Sequence, residues 1–231
     1  MKPRHHPVWF DIDGTLVHTA VGKAAFQNAL RETYGWEDSF EDVRFAGNTD
    51  LGVLMDLAER HGGSSEAGMS RKEEFFSRMA DHLDRGLARQ KPVRIPGAQA
   101  LISTLEQMEE IGLYLLTGNA RTCAFLKLQH ADLDRPFQEG GFGDEHADRN
   151  VLAARSRQRL EDKLNRNALG EGWVIGDTPR DMMAARSIGA RSVGVASGAY
   201  RPDELHSAGA DRVVENLEDR DGLLRLILNG G

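Results

Sequence analysis

Cysteine is nearly absent from this sequence: Cys123 is the one example in 231 residues. A single thiol excludes an internal disulfide framework, so the fold must rest on its core, and a reducing compartment suits it. Long apolar runs are missing as well. No stretch approaches the roughly 20 consecutive apolar residues that a membrane helix needs. The apolar segment that follows Met1-Lys-Pro-Arg-His-His-Pro7 is too short for the core of a secretion signal. The expectation is a cytoplasmic protein with no membrane partner. Excess positive charge is lacking too: 29 Lys and Arg against 36 Asp and Glu leave a formal net charge of −7. That argues against a general nucleic-acid surface. A small phosphorylated partner stays compatible, since a metal and one or two local basic groups can bind an anion inside an acidic chain.

What is present reads as an ordinary globular composition, 40% hydrophobic and 28% charged. The length suits one large domain, or one domain carrying a smaller insert, and is enough to bury a core unaided. Short apolar runs alternate with helical patterns. Strands are expected at Pro7–Phe10, Leu113–Leu116, Trp173–Ile175, Ser192–Ala196 and Arg212–Val214. Helices are expected over 97–111, 120–131, 150–164, 180–188 and 202–208. Wholly apolar strands separated by helices imply an α/β fold with a Rossmann-like parallel sheet covered on both faces.

Residues 17–93 break this rhythm and carry no convincing strand. Val21, Ala25, Ala29 and Leu30 recur at helical spacing, with Gly35 as a stop. Asp50 is placed to cap a second helix bearing Val53, Leu54 and Leu57 and ending at Gly62-Gly63. Ser70-Arg-Lys-Glu73 reads as a capping box for a third, with Phe75, Phe76, Met79 and Leu83 on its apolar side. The expected organisation is therefore a core of 1–16 and 94–231 interrupted by an all-helical insert, 17–93. Segment 91–97, with Pro92, Pro96 and Gly97, is the return linker.

Chemistry gathers at the strand ends, where open α/β sheets bind ligands. Phe10-Asp11-Ile12-Asp13-Gly14-Thr15-Leu16 puts two carboxylates two residues apart after the first strand; one can attack while the other moves a proton. An Asp-Gly turn is the plainer explanation. Leu116-Thr117-Gly118-Asn119 brings a hydroxyl and backbone N–H groups to a helix start, suited to phosphate oxygens or to simple capping. In Gly176-Asp177-Thr178-Pro179-Arg180-Asp181, two acids four apart offer the oxygen ligands that magnesium favours. Asp177 or Thr178 would also cap a helix opened by Pro179. Arg149, before the strand at 173, could neutralise a nucleophile and hold a phosphate oxygen; Arg155 and Lys163 compete for that role. Three of these four elements end successive strands, so one sheet would collect them in one crevice.

With these motifs in this order, the sequence resembles the haloacid dehalogenase superfamily across nearly its whole length. The basic motif is the loose one, since many relatives carry Lys-Pro where Asp148-Arg149 stands. The helical insert resembles the cap of the phosphoglycolate phosphatase-like branch. So do Arg44-Phe-Ala-Gly47-Asn48-Thr49-Asp50, which looks like a cap loop reaching the active site, and the tail Val193 to Leu205. The resemblance implies a phosphatase acting on a small phosphorylated metabolite through an aspartyl-phosphate on Asp11. Asp13 would serve as acid and then base, held by Thr15. Mg2+ would sit on the Asp11 side chain, the Asp13 backbone carbonyl and Asp177, with Asp181 close behind. Thr117, Gly118, Asn119 and Arg149 would take the phosphate, with Asn48 as a substrate contact. The assembly would be a monomer or a homodimer.

Other readings diverge at particular residues. A dehalogenase attacks carbon and needs neither Asp13 nor Asp177. A phosphonate hydrolase lacks the acid at position 13 and uses a cap lysine, for which Lys23 is the residue to watch. A phosphomutase of the same superfamily usually has a bulkier residue than Thr15 after the glycine. A non-catalytic phosphate-binding regulatory module would have lost an acid, and none is missing. The histidines show no metal-ligand spacing.

Overall fold

The computed structural model of the protein describes residues 5–62, 69–137, 139–164 and 169–229. In chain order its first elements are β1 (His6–Phe10), β2 (Val17–His18), α1 (Gly22–Tyr34), α2 (Asp50–Arg60) and α3 (Lys72–Arg89). There follow β3 (Val93–Arg94), α4 (Ala98–Glu106), β4 (Ile111–Leu116), α5 (Arg121–His130), β5 (Gly140–Gly141) and α6 (Arg149–Leu164). The chain closes with β6 (Trp173–Gly176), α7 (Pro179–Ser187), β7 (Arg191–Val195), α8 (Pro202–Ser207), β8 (Arg212–Val214) and α9 (Arg220–Asn229).

Six strands form one sheet in the order β5-β4-β1-β6-β7-β8, with every neighbouring pair parallel. The apolar strands are buried on both faces, as a covered parallel sheet requires. Alternation along each strand divides them. Val8, Phe10, Leu113, Leu115, Trp173 and Ile175 face α4, α5 and α9, while Trp9, Leu116 and Val174 face α6 and α7. Registers Phe10↔Leu115 and Phe10↔Ile175 bring the ends of β4, β1 and β6 level. The strand order reverses around β1: β4 and β5 lie to one side, β6 to β8 to the other. This is a topological switch point, where the sheet opens a crevice at its carboxyl edge.

Helices α1 to α3 bury a second apolar cluster built on Phe26, Leu30, Leu54, Leu57, Phe75 and Leu83, which also takes in Ala120 and Cys123 at the start of α5. Where the chain leaves and rejoins the sheet, β2 and β3 pair antiparallel, Val17↔Arg94 and His18↔Val93. Two residues per strand are too few to give a periodic signal, so this ribbon is absent from the sequence reading. So is β5, whose two glycines carry no apolar side chain.

The expected caps shift. α2 is capped by Thr49, whose hydroxyl accepts from the Gly52 N–H at 3.0 Å, not by Asp50. α3 begins at Lys72 behind Arg71, which has no side-chain cap bond, so the helix starts later than the expected cap at Ser70. Arg71 instead donates to Glu74 through Nε and Nη2 at 2.9 and 3.0 Å. α2 ends at Arg60, with Gly62 in the left-handed region at φ 73°; Gly63 lies outside the described residues. Among the described residues no helix is long and apolar enough to cross a membrane.

Candidate active site

β1, β4 and β6 end in Asp11, Thr117 and Asp177, one residue beyond each strand. The Asp11 N–H extends the ladder by donating to the Ile175 carbonyl at 2.9 Å. Asp177 and Asp181 come from one local device: Thr178 caps α7, Pro179 fills its first position, and Asp181 reaches back, its Oδ2 accepting from the Thr178 N–H at 3.0 Å and hydroxyl at 2.8 Å. The capping geometry thus fixes Asp181 and leaves Asp177 free to point into the crevice.

There Asp11, Asp177 and Asp181 converge. Each offers a carboxylate oxygen within 4.8 Å of the others, and all three residues are buried. The cation among them is Arg149, itself buried at the start of α6. Its Nη2 lies 2.9 Å from Asp11 Oδ1 and 2.5 Å from Asp181 Oδ1, and donates to the Leu116 carbonyl at 2.7 Å. Arg155 and Lys163 lie elsewhere, against the Glu145 carbonyl and the Glu139 carboxylate.

Three carboxylates thus share one guanidinium. Burial raises Asp11 above its ordinary range, with Arg149 opposing; burial and then the Asp11 charge raise Asp177 further. Asp177 Oδ1 has no hydrogen-bond partner, and a Cβ on Gly14 or Gly198 would collide with this carboxylate. A buried oxygen without a donor, among three carboxyl groups that outnumber their one guanidinium by two, has the composition that a hard divalent cation matches.

Asp13 stands apart from that cluster, on the opposite wall. Its Oδ2 accepts from Lys127 Nζ at 2.6 Å and Asn119 Nδ2 at 2.8 Å, and its Oδ1 from the Thr19 hydroxyl at 3.2 Å. Lys127 also donates to Asn119 Oδ1 at 2.6 Å, while Asn119 donates through Nδ2 to the Thr117 hydroxyl at 2.8 Å. Burial pushes Asp13 up, but the Lys127 ammonium and these hydrogen bonds outweigh it and hold the carboxyl below its ordinary range. Thr15 does not hold Asp13: its hydroxyl is buried without a partner. Gly14, at φ 78°, turns the chain so that Asp13 faces the crevice while Thr15 points inward.

Both walls open on a cavity of about 440 Å3. Asp11, Asp13, Gly118, Asn119, Arg149 and Asp177 line its floor, and residues of α1, α3 and the loop at 45–50 line its roof. Thr117 lies behind Asn119 and is not part of the lining. Asn48 lines the cavity, although its Nδ2 turns back to the Arg44 carbonyl. Lys23 is at the rim, exposed, with Nζ 5.5 Å from the Phe40 ring centroid.

A family model described as haloacid dehalogenase-like hydrolase matches residues 8–189. The chain belongs to this family. As such it is an enzyme of the hydrolase class. A comparison with curated protein sequences gives no match. Among solved structures, this haloacid dehalogenase-like hydrolase is similar to a hydrolase from Pseudomonas syringae at 27% identity, over 96% of this chain and 98% of that one, with a TM-score of 0.67. It is also similar to CbbY from Rhodobacter sphaeroides in complex with phosphate (18% identity, 93% and 96% covered, TM-score 0.69). A predicted phosphatase from Clostridium acetobutylicum compares at 21% identity, 96% and 100% covered, TM-score 0.68. The latter two likenesses are of fold.

Two residues at the hydrolase's site escaped sequence reasoning. Lys127 falls mid-helix, yet Cys123, Ala124 and Leu128 around it are all buried. A lysine set between apolar residues of a short helix was the available signal. Asp50 is the other: its Oδ2 accepts from the Ala120 N–H at 2.7 Å and so caps α5 from the far side of the crevice. A contact across 70 residues leaves no local pattern.

Proposed function

We propose that this haloacid dehalogenase-like hydrolase is a magnesium-dependent phosphatase that cleaves a small phosphate monoester through an aspartyl-phosphate on Asp11. The carrying observation is the buried cluster of Asp11, Asp177 and Asp181 around one arginine. Magnesium would be held by the Asp11 and Asp177 side chains and the Asp13 backbone carbonyl, with Asp181 behind. Bound there, it would neutralise charge between a phosphoryl group and the carboxylate approaching it.

Asp11 attacks phosphorus with its carboxylate oxygen. A phosphorus–oxygen bond forms as the ester bond breaks, and the alcohol leaves with a proton from Asp13 in its protonated form, which the Lys127 charge makes the minor one. Arg149 steadies the Asp11 carboxylate and meets a phosphoryl oxygen, with the backbone of Gly118 and Asn119 and the Asn119 side chain on the other side and Thr117 behind them. In the second step Asp13, ionised beside Lys127, takes a proton from the water that attacks the phosphoryl group and frees Asp11. Residues 17–93 act as a cap over the core of 1–16 and 94–231, excluding bulk water from the crevice, and Asn48 touches the substrate from the cap loop.

The test is Asp11→Asn. The variant should lose Mg2+-dependent phosphate release from p-nitrophenyl phosphate by at least about a thousandfold while keeping its circular dichroism spectrum. Turnover near the wild-type rate would remove Asp11 as the nucleophile.

A further inference from the structure

The floor of the cavity is polar, and the roof joins an apolar part to Lys23, Asn48 and Asp50. Phe26, Met79 and Leu83, on α1 and α3, are buried behind that apolar part and back it. Phe45, half-buried on the loop before α2, stands edge-on to Phe26 with centroids 5.4 Å apart and planes at 82°. An alcohol bound between phosphate and rim would lie against this surface, and burying an apolar body there is favourable while burying an unpartnered charge is not.

Free buried partners for such a charge are lacking, since the imidazole on the lining, His18, is exposed like Lys23. Among the described residues the cavity is lined by three lysine or arginine side chains, Lys23, Lys127 and Arg149. Arg149 is engaged with Asp11, Asp181 and the Leu116 carbonyl. Lys127 is engaged with Asp13 and Asn119. Lys23 sits exposed at the rim over the Phe40 ring. A carboxylate beside the ester would therefore give up water without meeting a buried cation, and it would face the carboxyl groups of Asp13 and Asp50 on the same walls.

From this geometry we infer that the alcohol released by the enzyme is uncharged and carries an apolar or aromatic face, which sets the substrate class apart from phosphorylated hydroxy acids such as 2-phosphoglycolate. The inference rests on the phosphatase reading above. The cavity's volume of about 440 Å3 leaves space beside the phosphate for a ring or a short chain.

The experiment compares kcat/KM, with Mg2+ present, for 2-phenylethyl phosphate and 2-phosphoglycolate, both esters of primary alcohols, with acetyl phosphate as a donor that makes little demand on the roof. The phenylethyl ester should be preferred at least about tenfold, the discrimination typical of an apolar contact. Phe45→Ala, a loop substitution, should cut that preference severalfold. Equal or better turnover of 2-phosphoglycolate, with acetyl phosphate also hydrolysed, would overturn the inference and leave the phosphatase standing. Mg2+-dependent release from none of the three would overturn both. The wild-type comparison decides the matter even if the variant folds poorly.

Discussion

Asp50 opens α2, yet its carboxyl group works for α5. Its backbone N–H donates to the Gly118 carbonyl at 2.7 Å while its side chain caps α5 through Ala120. Burial pushes its pKa up to about 7, only partly offset by the Ala120 hydrogen bond and the Lys127 charge. The sign of the consequence follows from proton counting. Between about pH 4 and 7 the native Asp50 is protonated while the unfolded chain's is ionised, so the native state binds more protons. Stability from this group is full below the unfolded pKa and drains away as pH rises through the folded one. The variant Asp50→Asn keeps an oxygen for the Ala120 N–H but cannot ionise. Unfolding free energies from urea titrations at pH 4.5 to 7.5 should decline less for this variant than for wild type, by on the order of a few kcal/mol. Parallel declines would exclude Asp50 as the source. Lys127 follows the same logic in reverse: buried, it keeps its charge through Asp13, and its pKa is raised although burial acts to lower it.

At the scale of elements, the start of α2 is fastened to the sheet edge rather than hung above it. The Asp50 and Leu51 N–H groups donate to Gly118 and Gly143 carbonyls at 2.7 and 2.9 Å, and the Thr49 hydroxyl to the Ala147 carbonyl at 2.9 Å. The approach is so close that a Cβ on Gly118 would strike the Asn48 carbonyl, and one on Gly143 the Gly118 carbonyl. Backbone cannot step aside as a flexible side chain can. Gly118→Ala should therefore cost about 1–3 kcal/mol, the usual penalty of overpacking, read as a lower urea midpoint at unchanged slope; an unaltered midpoint would show that the loop yields freely. Such contacts explain what the sequence could and could not disclose. β1, β4 and β6 were legible because four to six apolar residues followed by Asp or Thr form a signal contained in one segment. Thr49 and Asp50 exchanged roles because capping by either side chain fits the same local pattern, and only the distant Ala120 N–H decides. Lys127 was hidden for the same reason, its partners being 8 and 114 positions away.

For the molecule as a whole, the proposed Mg2+ site at the switch point would tie folding to cation binding. A ligand that binds only the native state stabilises it by mass action, about 2.7 kcal/mol at a hundred times its Kd. For a chain of this size that is roughly 5–10 °C in Tm. Mg2+ should raise the melting temperature by that amount at saturation and EDTA should restore the lower value, while Asp177→Asn should melt at a temperature indifferent to Mg2+. A wild-type Tm that ignores Mg2+ would argue against the metal site independently of any assay of turnover.

α5 contributes to both apolar clusters, Ala124 and Leu128 to the sheet side and Cys123, with Ala120 before it, to the insert side. The seam between the halves thus runs along a helix of the sheet domain, not through the two chain crossings at β2 and β3. A chimera that grafts a relative's insert onto this scaffold by cutting at 17 and 93 would arrive without part of its own floor. The transplant should carry residues 117–127 with it, so that the unit of exchange is discontinuous in sequence but whole in space.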